Sequence, residues 1–193
     1  MIRPALLALS LALLAPLQAT AQAVPDQATA RQALFETRSA QIVVQRHPFL
    51  SEIDLAALQE MPKVAQLKYY GALAAAPDAG FQSETTRGAF NFHSIDAARA
   101  AAVAGCDAAR RGGRPCVVVA DILPRRYAPG RPLTLSQDAS ATVVGRGFRR
   151  AGTDATLAIS PTTGAWGLGD GAQAAIASCA AAGARDCELA VTR

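Results

Sequence analysis

The chain has 193 residues, of which 51% are hydrophobic and 18% charged, and its formal net charge is +4. That balance excludes a disordered chain, and no stretch downstream of the N-terminus reaches the roughly 18 apolar residues of a membrane span. Basic residues cluster only as the pairs Arg110-Arg111, Arg125-Arg126 and Arg149-Arg150, which read as solvated surface charge and speak against nucleic-acid binding.

Arg3, an apolar run over residues 5–15 and the small-residue sites Ala19-Thr20-Ala21 and Ala21-Gln22-Ala23 form an export signal. Cleavage is expected after Ala23, with Ala21 as the second choice. The run is too short to anchor the chain, and no cysteine stands ready for lipid attachment, so a periplasmic or secreted product with no transmembrane segment is expected. In that oxidising compartment the four cysteines are expected to be paired.

The leader, residues 24–68, reads as a helix from Asp26 to Thr37, a β-branched strand over Ala40-Gln41-Ile42-Val43-Val44-Gln45, and a short helix from Ser51 to Met61. Lys63 and Lys68, the only lysines, then fall in a polar connection. Two segments with a shared pattern follow, 69–123 and 154–193. Leu73-Ala74-Ala75-Ala76-Pro77-Asp78-Ala79-Gly80-Phe81 and Leu157-Ala158-Ile159-Ser160-Pro161-Thr162-Thr163-Gly164-Ala165 place Leu, Ala, Pro and Gly at the same spacing, each predicting a strand, a proline turn and a second strand. Alanine-rich helices come next, from Asp96 to Arg111 and from Ala172 to Ala182. Ser94 and Asp170 are the predicted N-caps; Gly112-Gly113 and Gly183 are the predicted stops.

Ile95, Ala98, Ala102, Cys106 and Ala109 recur at helical spacing, as do Ala172, Ala175, Ile176, Cys179 and Gly183, so both helices aim a cysteine at the sheet. Strands led by Cys116 and Cys187 close the units. The insert, residues 124–153, reads as a strand at Leu133-Thr134-Leu135 and a helix capped by Ser136. The fold class is therefore α+β: two ββαβ-like repeats forming a mainly antiparallel sheet, with alanine-rich helices on one face. Four cysteines allow three pairings. The repeat favours Cys106 with Cys116 and Cys179 with Cys187, because each helix end then meets the start of its own following strand; a cross-linked arrangement would need the two helices in contact.

The Tyr70-Gly71-Ala72 hairpin, the alanine-rich helix ending in cysteine, the cysteine-led strand and Thr163-Gly164-Ala165-Trp166-Gly167 resemble bacterial secreted proteins of the domain of unknown function 4189 family. The resemblance covers residues 69–193. Asp154-Ala155-Thr156 departs from it, standing where Tyr-Gly-Ala is expected. It implies an exported α+β protein with no settled activity and transfers no catalytic residue. Proteins of this appearance sometimes carry the label 5-aminolevulinate synthase, which the chemistry contradicts: such an enzyme needs a large cytoplasmic fold and a lysine holding pyridoxal phosphate in a desolvated pocket, and neither Lys63 nor Lys68 is so placed.

No Gly-x-Ser-x-Gly elbow is present, and neither Gly145-Arg146-Gly147 nor Gly167-Leu168-Gly169-Asp170-Gly171 completes a phosphate-loop fingerprint. Spacing offers no metal set and no cofactor is expected. Trp166, Tyr70, Phe92 and His93 form the candidate binding surface, since an aromatic left exposed would mark one; core burial is the commoner fate of Trp166. The function these features point to is a non-catalytic exported domain binding a protein or cell-envelope component, in its specific form a hydrolase inhibitor or immunity-type protein. The alternative is a small periplasmic enzyme with a site near Glu84, Arg87 and His93, which would need those groups to converge in a pocket.

Overall fold

Local sequence signals place most of the elements. In the computed structural model, which describes residues 23–193, Asp26 accepts from the Thr29 amide to open α1 (Gln27–Ala33), and Ser51 and Asp54 form a reciprocal capping box that opens α2 (Glu52–Val64). The expected export signal lies outside the described residues except for Ala23. Between the two helices runs β1 (Ala40–Val44). The predicted second helix extends past Met61, so Lys63 belongs to α2 and not to a connection.

The first ββαβ unit comprises β2 (Gly71–Ala75), β3 (Arg87–Ala89), α3 (Ile95–Ala109) and β4 (Val117–Pro124). The insert forms α4 (Gln137–Val144) and α5 (Arg146–Arg150), and the second unit comprises β5 (Ala155–Ile159), β6 (Trp166–Asp170), α6 (Ala172–Ala181) and β7 (Glu188–Thr192). All pairs between these named strands are antiparallel. They form two sheets, ordered β1-β4-β2-β3 and β6-β5-β7, so that the first strand of each unit lies between its second and last. Pairing slips at the same place in both units, between Leu73 and Ala74 and between Leu157 and Ala158. Such a bulge bends its strand and increases the local twist.

Each sheet is covered on both faces: the alanine-rich helix of its unit lies on one face, as expected, and helices of the leader and insert cover the other. Every residue of β2 and of β5 is buried, which one covered face cannot achieve. Along β2, Ala72 and Ala74 meet Ala98, Ala102 and Cys106 of α3, while Leu73 and Ala75 join Leu55 and Leu58 of α2. Along β5, Ala158 meets Ala175 and Cys179 of α6, while Leu157 and Ile159 join Ala30 of α1, Val143 of α4 and Phe148 of α5. Leader and insert thus supply the outer layers.

Some boundaries move. Phe81 does not open a strand; turns fill the chain to Arg87. Leu133-Thr134-Leu135 is irregular, with Leu135 buried beside α4. Asp170 does not cap α6, because its carboxylate accepts from the Asp154 amide at 2.8 Å, and Gly171, at φ +90°, starts the helix with no side-chain cap. Arg110 ends α3, leaving Gly112 and Gly113 in the loop beyond. Ile176 and Ala172 are exposed; α6 buries only Ala175 and Cys179.

Helix α6 lies against the backbone of β6. A Cβ on Gly169 would stand 2.5 Å from the Ala174 carbonyl carbon, and one on Gly167 would overlap the Cys179 nitrogen. Gly167→Ala should therefore destabilise the protein by about 1–3 kcal/mol, as overpacking does. Gly147→Ala, where the nearest atom is a Thr142 methyl at 3.7 Å, should be neutral or stabilising. Equal midpoints for the two variants in urea unfolding would contradict the close approach.

Both disulfides join a helix to its own unit's closing strand, Cys106 with Cys116 and Cys179 with Cys187, and no free cysteine is present among the described residues. On β4, Asp121 is buried and held by Arg99 of α3 at 2.9 and 2.7 Å and by Gln45 at 3.1 Å, so a charge-assisted fork ties α3 to its sheet. No helix of the described residues is long and apolar enough to cross a membrane.

Candidate functional site

Of the four aromatic candidates, His93 is the one whose side chain bridges the two units among the described residues. His93 follows β3 and is 2% exposed. The Ser136 amide, which can only donate, gives its hydrogen to Nδ1 at 3.1 Å, so Nε2 carries the ring proton and donates to the Ala165 carbonyl at 3.0 Å. Burial lowers the His93 pKa to about 4, against the raising effect of the Ala165 and Gly164 carbonyls. The ring is therefore neutral, with both nitrogens engaged: a joint linking the first unit, the start of α4 and the β5–β6 turn.

Neighbouring contacts extend this joint. Asn91, at φ +65°, exchanges hydrogen bonds with Asp138, whose carboxylate also receives Lys68 at 2.6 Å. The Tyr69 amide donates to Gln137 Oε1, and the Gln137 amide group reaches the Thr37 carbonyl. Lys68 is thus committed to a half-exposed ion pair rather than a desolvated pocket. Trp166 pairs with Ile159 and packs half-buried on the second core; Phe92 is half-buried against α3. Tyr70 is 1% exposed among Phe35, Tyr69 and Leu123. Burial, not display, is the place of Tyr70 and His93: the tyrosine fills a cluster with Phe35 of the leader, and the ring nitrogens of the histidine tie the units together.

Glu84 and Arg87 lie elsewhere, in a groove of about 760 Å³ at the disulfide end of the first unit, with Asp78, Arg110, Arg111, Gly112 and Gly113. His93 does not line it, so the constellation of Glu84, Arg87 and His93 does not assemble. The groove's walls are fixed by several ties. Arg87 donates to the Glu84 and Thr86 carbonyls; Asp107 receives the Cys116 amide and Arg110 Nε; Arg110 Nη1 reaches the Gly113 carbonyl. Asp78 accepts from the Arg114 amide and Nε, both at 2.7 Å. These bonds, the backbone amide first, hold the Asp78 carboxyl below its ordinary range, and the Cys116 amide followed by Arg110 does the same for Asp107.

The second unit makes the equivalent tie from the opposite side. There Asp186, in the helix-to-strand connection, receives the Ser160 hydroxyl, the Thr162 hydroxyl and the Thr162 amide of the hairpin turn. In the first unit the turn carries the carboxylate; in the second the connection does.

Chemically, the groove offers a preformed concave surface carrying both signs of charge, with Glu84, Arg87 and Arg111 outside any ion pair among the described residues. In and beside it, Asp78 is held anionic and Cys106 and Cys116 are bonded to each other. No group of three or more His, Cys, Asp or Glu side chains among the described residues could hold a metal ion. Sequence reasoning missed Asp78, Arg110 and Arg111 as groove residues, although the Arg-Arg-Gly-Gly run between two paired cysteines marks a basic loop held at both ends. No family model, curated protein or solved structure matches the chain.

Proposed function

We propose that the chain is an exported, non-catalytic binding domain whose groove at Glu84, Arg87 and Arg111 engages a protein or envelope component in the bacterial periplasm. The specific form we favour is an inhibitor or immunity-type protein acting on a wall hydrolase. The observation that carries this reading is the prior fixing of the 110–116 loop by a disulfide, by Asp107 and by Asp78. A surface ordered before contact loses less entropy on binding, which favours recognition. Mixed charge in the groove suits a partner loop with complementary charges and gives specificity. Two disulfides agree with an oxidising compartment, as the signal pattern expects.

The test joins localisation to contact. Intact mass of the periplasmic protein should show loss of residues 1–23 or 1–21. Periplasmic cross-linking should then retain a partner that Glu84→Lys, Arg87→Glu and Arg111→Glu, combined in a variant with unchanged Tm, captures about tenfold less well. A product retaining Met1, or capture indifferent to the three reversals, would overturn the reading.

A further inference from the structure

Strand β4 has two ends. The groove lies at the first; eight residues on, at a distance of about 25 Å, the strand finishes at Pro124 and the chain turns, the Tyr127 amide donating to the Pro124 carbonyl at 3.2 Å. Arg126 takes φ +57° in that turn, a left-handed conformation it shares only with Asn91 among the described non-glycine residues. Arg125 and Arg126 line a cavity of about 290 Å³ with Leu34, Phe35, Glu36 and Arg131.

Arg131 is fixed in place. Its guanidinium lies 3.8 Å over the Phe35 ring, and Nη1 donates to the Ala33 and Leu34 carbonyls at 2.5 and 3.3 Å. Nε and Nη2 have no partner among the described residues. Arg125, Arg126 and Arg131 enter no ion pair among the described residues, unlike Arg46, Arg99, Arg110 and Arg114 and like Arg87 and Arg111 of the groove, so no carboxylate of the fold already claims them. Glu36 lines the same cavity and is likewise in no ion pair among the described residues, leaving an excess of two positive charges. Behind Phe35 stand Tyr127 and Tyr70, with ring centroids 5.8 Å from Phe35 to Tyr127 and 6.1 Å from Tyr127 to Tyr70. The Tyr70 hydroxyl is buried without a hydrogen-bond partner, and the Arg131 charge reaches it.

We propose that Arg125, Arg126 and Arg131 form a binding site for a phosphate group. Three planar forks around one small cavity suit a tetrahedral oxyanion, which presents more acceptor edges than a carboxylate, and a guanidinium already anchored by stacking has less freedom to lose. Glu36 opposes the anion and sets how tightly it is held. Lipid headgroups and soluble phosphates share this chemistry. The site is remote from the groove of Glu84 and Arg87, so its failure and that of the binding-domain reading are distinguishable.

The disulfide-intact protein is titrated with inorganic phosphate and with pyrophosphate in about 0.15 M salt, which suppresses diffuse attraction, with calorimetry and arginine side-chain NMR as readouts. Saturable binding is expected, weakened about tenfold by Arg125→Ala and by Arg126→Gly, as loss of a charge-assisted bond implies. Glycine at 126 also relieves the left-handed backbone, which protects the fold. Glu36→Gln should tighten binding, and Arg111→Ala, at the far end of β4, should leave it unchanged. Sedimentation with phosphatidylglycerol vesicles, against phosphatidylcholine, identifies the source: retention lost in the same variants assigns a headgroup phosphate, while binding confined to the soluble anions assigns a free one. No saturable binding to either probe, or equal weakening by Arg111→Ala, would overturn the site.

Discussion

Stability should fall by about 3 kcal/mol as the pH is lowered from about 6.5 to about 4, and His93→Gln should abolish most of that fall. In the folded protein burial holds the His93 pKa at about 4, whereas in the unfolded chain the imidazole titrates at its ordinary 6.5. Above 6.5 the ring is neutral in both states and its contribution to stability is fully present. Between 6.5 and 4 the unfolded state takes up the proton and the folded state does not, so the unfolded state gains about 1.4 kcal/mol per pH unit. Glutamine keeps a donor for the Ala165 carbonyl but leaves the Ser136 amide without its acceptor, so the variant should be less stable at pH 7 yet flatter with pH. Urea unfolding across this range measures both effects. A slope in His93→Gln equal to that of the native protein would show that the acid sensitivity resides elsewhere.

Removing either disulfide should cost about 2.5 kcal/mol in the chain-entropy view, since the loops of 10 and 8 residues are nearly equal. The local consequences should differ. Helix α3 retains Ile95, Ala98 and Ala102 in the core and the Arg99–Asp121 fork, whereas α6 is left with Ala175 and its backbone contact at Gly167 and Gly169. In Cys179→Ala/Cys187→Ala, amide exchange should accelerate across residues 172–192, while Cys106→Ala/Cys116→Ala should leave α3 protected at the same denaturant concentration. Equal acceleration of the two helices would refute the difference in anchoring.

The elements legible in the sequence were those with a local physical cause. Ser51, Ser94 and Ser136 accept the amide three residues on, as N-caps do, and the matched Leu-Ala-Pro-Gly spacing preceded two units of the same strand order. The cysteine pairing followed from that symmetry. What remained hidden depends on tertiary neighbours. Asp170 has the chemistry of an N-cap, but the Asp154 amide takes its carboxylate. His93 reads as a loop residue until Ser136 and Ala165, more than 40 positions away, bracket its ring. Tyr70 and Ile176 exchange their expected places because Phe35, Tyr69 and Leu123 cover the tyrosine, whereas α6 is short and meets a glycine-lined strand, leaving its isoleucine uncovered.

The opposed polarity of the two turn-to-connection ties bears on folding fidelity. Both units offer hairpins and connections of similar outline, so a nascent chain, or two neighbouring chains, could dock the turn of one unit on the connection of the other. Docking the first turn on the second connection would bring Asp78 against Asp186, two carboxylates that their native partners hold anionic, and like charges so placed repel. The reciprocal mismatch would set Thr162 before Arg114 and leave the guanidinium without a carboxylate. Each unit therefore carries a distinct complement at the same joint, and misassembly is penalised at the step where the turn closes on its own connection.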